Sequence, residues 1–303
     1  MNKKVRIVII LIITFLSLEI VMRVFFGFCD TVLMTESANF EYIAQPNQKR
    51  YRFGNNIHYN AFSMRSEPID TAAVKILGFG DSVINGGVQT DHDALATTLL
   101  SSHLSEALDT KVQFLNISAG SWGPDNCYAY LEQYGDWNAE AIFLFVSSHD
   151  AFDTMNFEKI VGVNNSFPDK QYKLALYELL DRYLIPRLQR VLKKGEKDKL
   201  GINKKTEASP FNSGFDNFYK YSLTKNIPLI IYLHAEKSEL KAKKYNQQGQ
   251  LIIDFANKNN IPLILDLNNN LQLSDFRDDI HLNSLGQKKM ADLISSYYKA
   301  LNN

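Results

Sequence analysis

The chain has 303 residues, 45% of them apolar and 12% aromatic, which is enough to bury one substantial core in a single domain with additions or in two small ones. Thirty-three basic residues balance thirty-three acidic ones, so there is no global charge argument for nucleic acid or any strongly charged partner. The two cysteines, Cys29 and Cys127, exclude a disulfide framework and, far apart in the chain, read as free thiols.

At the N-terminus, Lys3, Lys4 and Arg6 precede an apolar run, Ile7 to Leu18, that continues past Glu19 and Arg23 to Phe28. Residues 5 to 28 as one helix span about 36 Å at 1.5 Å per residue, enough to cross a bilayer. The uninterrupted run is as short as a cleavable signal's, but no small-x-small cleavage pattern follows it. An uncleaved anchor is therefore expected. Glu19 and Arg23, four apart, can pair on one helical face, and Arg23 can also snorkel towards the far interface. The basic flank places the tip, within residues 1–29, in the cytoplasm and the rest of the chain outside it, in the periplasm or beyond the cell. Phe28 is too bulky before Cys29 for lipoprotein processing. Residues 30–73 carry Phe40, Tyr42, Tyr51 and Phe53 around a Gln45-Pro46-Asn47-Gln48 turn, the pattern of a hairpin or extended juxtamembrane arm.

From Val74 to the end, strand and helix alternate. Val74-Lys75-Ile76-Leu77 reads as a short buried strand that delivers the chain to Gly78-Phe79-Gly80-Asp81-Ser82, so Ser82 is exposed where open α/β sheets place their chemistry. A dinucleotide loop fails here, because Val83 stands where its third glycine would fall. Helices are predicted over 94–108, 125–137 (capped by Asp125 after Pro124), 212–225, 238–257 and 284–301. Strands are predicted over 111–116, 141–147, 227–233 and 261–267. Five strands separated by helices predict a three-layer α/β/α sandwich with a mostly parallel, five-stranded sheet, here spanning residues 74–303. Residues 155–211 are too long for a connection and read as an insertion. Leu176, Leu179, Leu180, Tyr183, Leu184, Leu188, Val191 and Leu192 give it an amphipathic helix that Pro186 should kink. Lys193, Lys194, Lys197, Lys199, Lys204 and Lys205 then suggest a mobile loop. A lid or a basic surface for anionic lipid or polysaccharide is one reading; a solvated helix and linker beside the core is the expected one.

A serine nucleophile needs a base, and Asp278-Asp279-Ile280-His281 supplies one near the far end. An Asp three residues before a His can bond one imidazole nitrogen while the other faces Ser82. In isolation Ser82 would be a turn serine and His281 a loop histidine; the strand before the one and the carboxylate before the other make the triad reading. Asp279 competes as the orienting acid, but the three-residue spacing favours Asp278.

These motifs resemble the SGNH/GDSL hydrolases. Gly80, Asp81 and Ser82 match the family's Gly-Asp-Ser, Gly86 its following glycine, and Asp278 with His281 its terminal Asp-x-x-His. The resemblance covers about residues 74 to 301 and departs at two blocks. Ser121, preceded by Gly120, stands where the family usually has a glycine donating its backbone N–H, and His149 stands at the asparagine of Gly-x-Asn-Asp. Asn60-Ala61-Phe62-Ser63-Met64-Arg65 resembles a segment of membrane-anchored members, making Arg65 a candidate substrate contact, although pinning the arm is its expected role. The resemblance implies a flavodoxin-like fold and an oxyanion hole of Ser82, Gly120, Ser121 and His149. For His149, a second acid-base role or a core position are the other readings.

The expected activity is a membrane-anchored serine esterase that removes small acyl groups, O-acetyl above all, from a cell-surface or secreted polysaccharide. An O-acetyltransferase with the same triad and a non-catalytic carbohydrate-binding or assembly protein are the alternatives. Acylated carbohydrate and membrane are the expected partners; no nucleic acid and no cofactor are expected. His149, Asp150, Asp153 and His234 lack zinc-ligand spacing, so no metal is expected, and His58, His92 and His103 read as surface residues.

Overall fold

The computed structural model describes residues 2–192 and 210–301. The lysine cluster expected as a loop, Lys193 to Lys205, lies outside the described residues. Helix α1 (Lys3–Phe26) is apolar and exposed along almost its whole length; only Glu19 and Met22 are buried. The following arm is two antiparallel hairpins, β1 (Met34–Ser37) with β2 (Glu41–Ala44) and β3 (Gln48–Arg52) with β4 (Asn55–Tyr59). Its aromatics do more than lie on the surface, because Phe40, Tyr42 and Tyr59 are buried in the core that holds Leu77, Phe79 and Trp122.

The chain then runs through β5 (Val74–Gly80), α2 (Ser82–Asn85), α3 (Ala96–Leu108), β6 (Val112–Ser118), α4 (Pro124–Tyr134) and β7 (Ala141–Ser147). The segment after β7 contains α5 (Ala175–Glu178) and α6 (Ile185–Leu192), and the chain continues with α7 (Ser213–Lys225), β8 (Leu229–His234), α8 (Lys237–Ala242), α9 (Gln247–Lys258), β9 (Leu263–Leu265) and α10 (Ser284–Leu301). The five later strands form one parallel sheet in the order β6-β5-β7-β8-β9. Numbered within the sheet this is 2-1-3-4-5, the flavodoxin-like order.

Alternate residues feed the two faces, as a pleated strand requires. Ile142, Leu144 and Val146 of β7 join Tyr130 of α4, Phe218 of α7 and Ile252 of α9 on one side. Phe143 and Phe145 join Leu100 and Leu104 of α3 and Ile294 of α10 on the other. The order reverses between β5 and β7, and the loops leaving their C-terminal ends diverge to opposite faces, opening the crevice where such sheets bind ligands.

Two local expectations are corrected. The helix expected from Asp125 starts at Pro124, with Gly123 as its cap; proline at the first helical position needs no N–H. Asp125 instead accepts from Asn212 Nδ2 at 3.0 Å and from the Met155 N–H at 2.8 Å. The helix expected over 238–257 is two, broken where Lys243 turns left-handed (φ 54°), with Asn246 capping α9. Where Pro186 was expected to kink the helix, Leu179–Leu184 form a wider π-helical turn between α5 and α6, in which the Ile185 N–H reaches back to Leu180 O.

Candidate active site

β5 ends in the turn that presents Ser82. The strands approach closely at Gly80, where a Cβ would lie a tight 3.0 Å from Phe145 Cβ and its carbonyl oxygen on the neighbouring strand. Asp81 caps α2, its Oδ1 accepting the Val83 N–H at 2.8 Å, so Ser82 becomes the first residue of that short helix. At the other end of α2, Gly86 adopts φ 70°, and a side chain would strike Leu95 and Thr90.

The structure brings Ser82, His281 and Asp278 together. His281 Nε2 lies 2.9 Å from Ser82 Oγ, and Nδ1 lies 2.7 Å from Asp278 Oδ2. The other oxygen of Asp278 accepts the backbone N–H groups of His281 (2.8 Å) and Ile280 (3.1 Å). Partial burial would raise the Asp278 carboxyl, but those two N–H groups and the imidazole hold it below its ordinary value. Asp279 is exposed.

The loop that carries Asp278 and His281 is itself held by residues outside the sequence motifs. His234, at the end of β8, places Nδ1 2.6 Å from Asp266 Oδ2 and Nε2 2.8 Å from the carbonyl of Ile280. Asp266, immediately after β9, also accepts the Ala235 N–H and the Tyr232 hydroxyl. With an acceptor at each ring nitrogen, His234 carries both protons. Burial would lower its pKa, but the Asp266 carboxylate outweighs that and raises it. Arg277 donates to Gly86 O at 3.1 Å and to Thr90 Oγ1 at 3.2 Å, tying this loop to the one after Ser82. The signal for His234 and Asp266 was a polar residue closing each of two apolar runs, Ile230-Ile231-Tyr232-Leu233 and Leu263-Ile264-Leu265.

Arg65 is not a substrate contact. It is fully buried, and its guanidinium donates to the carbonyls of Asn85 (3.0 Å), Gly87 (2.6 Å) and Thr90 (2.9 Å). It therefore pins the loop after the serine, because three outward-turned carbonyls need a multidentate donor.

Gly120, Ser121 and His149 follow β6 and β7, the two strands that flank β5. Tyr42 Oη donates to Gly120 O at 2.8 Å, fixing the Gly120–Ser121 peptide, and Ser121 is left-handed at φ 60°. In a trans peptide the Ser121 N–H points opposite to that tethered carbonyl. His149 stands among three carboxylates. Its Nε2 is 3.6 Å from Asp150 and 4.0 Å from Asp81, and its Nδ1 is 3.5 Å from Glu236. Burial alone would lower its pKa; Asp150, Glu236 and Asp81 together push it up to about 10. These carboxylates favour the cationic form of His149 beside the serine turn. Asp150 is buried with Oδ1 lacking a hydrogen-bond partner among the described residues, and burial raises its pKa against the pull of His149.

Two groups of side chains could in principle gather round a metal ion, Asp81 with His149 and Asp150, and His58 with Glu67 and His92. In the first, the carboxylates favour a proton on His149, so an ion there would have to displace that proton. In the second, His58 and His92 share Glu67 Oε1 at 3.1 and 3.2 Å, and their rings stack 4.6 Å apart with an angle of 31°. His92, expected on the surface, is buried, with its ring against His58 of β4. His103 is half-buried, 3.8 Å from Asp292.

No protein-family model matches the chain, and no curated protein gives a significant match. Among solved structures it is similar to a lipase/acylhydrolase from Enterococcus faecalis, at 13% identity over 75% of this chain and 96% of that one, with a TM-score of 0.43. It is similar to the psychrotrophic esterase EstA from Pseudoalteromonas sp. at 15% identity, over 76% and 99% of the two chains, with a TM-score of 0.43. A two-domain esterase (CEX) active on acetylated mannans matches at 10% identity, over 75% of this chain and 49% of that one, with a TM-score of 0.45. Likenesses this distant leave the chemistry to the side-chain geometry described above.

Proposed function

We propose that this chain is a serine esterase of SGNH type, held in the membrane by α1, that removes small acyl groups from an extracytoplasmic polysaccharide. The observation that carries the reaction type is the continuous relay from Asp278 through His281 to Ser82 Oγ, at 2.7 and 2.9 Å. In this reading His281 takes the proton as Ser82 attacks an ester carbonyl, and Asp278 fixes the tautomer and stabilises the imidazolium. His281 gives the proton to the departing sugar oxygen, freeing it as the hydroxyl, and water repeats the sequence to release the acid. The oxyanion is held by the backbone N–H of Ser82, that of Gly120 or Ser121, and the cationic ring of His149. The acyl and glycan assignment follows the family resemblance. The location follows α1, which is long and apolar enough to cross a membrane, with three basic residues before its apolar run.

The test is covalent labelling of the detergent-solubilised chain by a fluorophosphonate, read as intact mass for the wild type, Ser82→Ala and His281→Ala. Labelling of the wild type alone is expected, followed by acetate release from acetylated glycan. A folded wild type that stays unlabelled beside a reactive control esterase would sink the proposal. Acetyl appearing on a sugar instead of in solution would make the enzyme a transferase.

A further inference from the structure

The helical stretch from Ala175 to Leu192 has two apolar faces, and only one of them is covered. On the covered face Ala175, Leu176, Leu179 and Tyr183 pack with Met22 and Phe28 at the end of α1. Glu178 is fully buried there, 2.5 Å from Arg52, whose guanidinium lies 4.6 Å above the Phe28 ring and 4.7 Å above that of Phe53. On the other face Tyr177, Leu180, Leu184, Ile185 and Leu188 are exposed, Tyr177 at 57% and Leu188 at 58%. Steps of three, four, one and three make a continuous helical stripe. Five large apolar side chains in one stripe are more than a surface in water normally exposes together.

What covers this stripe follows from where the helix begins. Glu19 of α1 accepts the N–H groups of Ala175 (2.7 Å) and Leu176 (3.1 Å), while Arg23 donates to Glu19 at 2.8 Å and to Lys173 O at 2.6 Å. Glu19 lies seven residues before Phe26, or about 10 Å along the axis at 1.5 Å per residue. The start of α5 is therefore fixed beside the last two turns of α1, inside its end instead of beyond it. Neighbouring residues of those turns, Ile20, Val24 and Phe25, are exposed and apolar as well. A carboxylate in an anchor helix is costly against lipid, and here Glu19 is sheltered by the segment docked on it.

We propose that residues 175–192 form an interfacial helix, lying in the lipid leaflet that faces the domain, with Tyr177, Leu180, Leu184, Ile185 and Leu188 against the acyl chains. The inference rests on α1 spanning the bilayer. It makes the enzyme a domain docked on the membrane at a set height, in place of one swinging on a tether.

The test uses the full chain in liposomes with Cys29→Ser, leaving buried Cys127 unlabelled. An environment-sensitive fluorophore is attached to a single cysteine replacing Leu11, Tyr177, Leu188 or Lys288; the last lies on α10, across the sheet from the arm. Lipids carry a nitroxide either near the headgroup or deep in the acyl chain. The deep nitroxide should quench position 11 most. The shallow nitroxide should quench positions 177 and 188 at least threefold more than position 288. Quenching at 11 with 177 and 188 no more affected than 288 overturns the interfacial helix and leaves the anchor standing. No quenching at 11 removes the anchor and the proposal together. Shielding of 177 and 188 that grows with protein-to-lipid ratio, without nitroxide quenching, would assign the stripe to a second copy of the chain and overturn the proposal.

Discussion

Two histidine–carboxylate pairs stand at the same edge of the sheet, with nearly the same bond length and opposite uses. His281 and Asp278 meet at 2.7 Å with side chains 27% and 50% exposed; His234 and Asp266 meet at 2.6 Å with side chains 1% and 3% exposed. The exposed pair is local, closed by three residues of loop, and leaves Nε2 free for Ser82 Oγ. The buried pair joins β8 to the residue after β9, and its Nε2 is bound to the backbone of Ile280, next to His281. A histidine–carboxylate hydrogen bond is therefore no mark of catalysis. What distinguishes the pairs is the partner of the second nitrogen, a hydroxyl that can react or a carbonyl that cannot.

Removing Ser82 or a member of the exposed pair gives the largest effects. Ser82→Ala and His281→Ala should each lower kcat about 10⁶-fold, and the double variant should be little worse, because the two act as a unit. Measured esterase turnover that fell in proportion for each single change and multiplied in the double would break the triad reading. Asp278→Asn should lose about 10⁴-fold with the fold intact, since the amide no longer selects the tautomer that leaves Nε2 as an acceptor.

His149 comes next. His149→Ala removes a charged donor and should lower kcat about 100-fold with KM nearly unchanged. The sign of its pH dependence follows from its raised pKa of about 10. The ring is cationic below that value and loses its charge above it, so wild-type kcat/KM should fall as pH rises through about 10. His149→Asn, with a neutral donor, should be slower at pH 7 and lack that alkaline limb. A wild-type profile flat through pH 10 to 11 would remove the cation from the site.

The contrast between the pairs also explains what could be read from the sequence. Ser82, Asp278 and His281 were legible because short-range geometry dictates them: a strand-end turn, and an i, i+3 pair on a loop. Strand β7 and helix α10 were legible to the residue, one from a continuous apolar run and the other from three-four periodicity. His234 and Asp266 were not, because their bond joins residues 32 apart through parallel strand pairing, which has no local signature. Arg65 was expected to pin the arm and does so, but what it pins the arm to was not legible, for a related reason. Its partners are backbone carbonyls, and a carbonyl carries no residue identity to search for. The break at Lys243 belongs with these, since a lysine can take the left-handed turn without the glycine that would have announced it.

The buried pair gives the smallest effect on rate and the largest on folding. His234→Phe keeps the ring's bulk but leaves Asp266 without its partner and Ile280 O without a donor, which should cost about 3–5 kcal/mol in chemical denaturation. Because the His234 pKa is raised in the fold, this stabilisation is fully present below about pH 6.5, the value of a free imidazole, and is lost as pH rises through the raised one. The stability gap between wild type and His234→Phe should therefore be widest in mild acid and narrow towards alkaline pH. On activity the loss should be about tenfold and confined to kcat, since a loosened Ile280 lets His281 wander from Ser82 while the substrate-facing surface is unchanged. His234→Gln, which retains a donor within reach of Ile280 O, should recover most of that rate and little of the stability. If the glutamine variant were instead stable and as slow as the phenylalanine one, His234 would be acting on the reaction itself, and the distinction between the two pairs would fall.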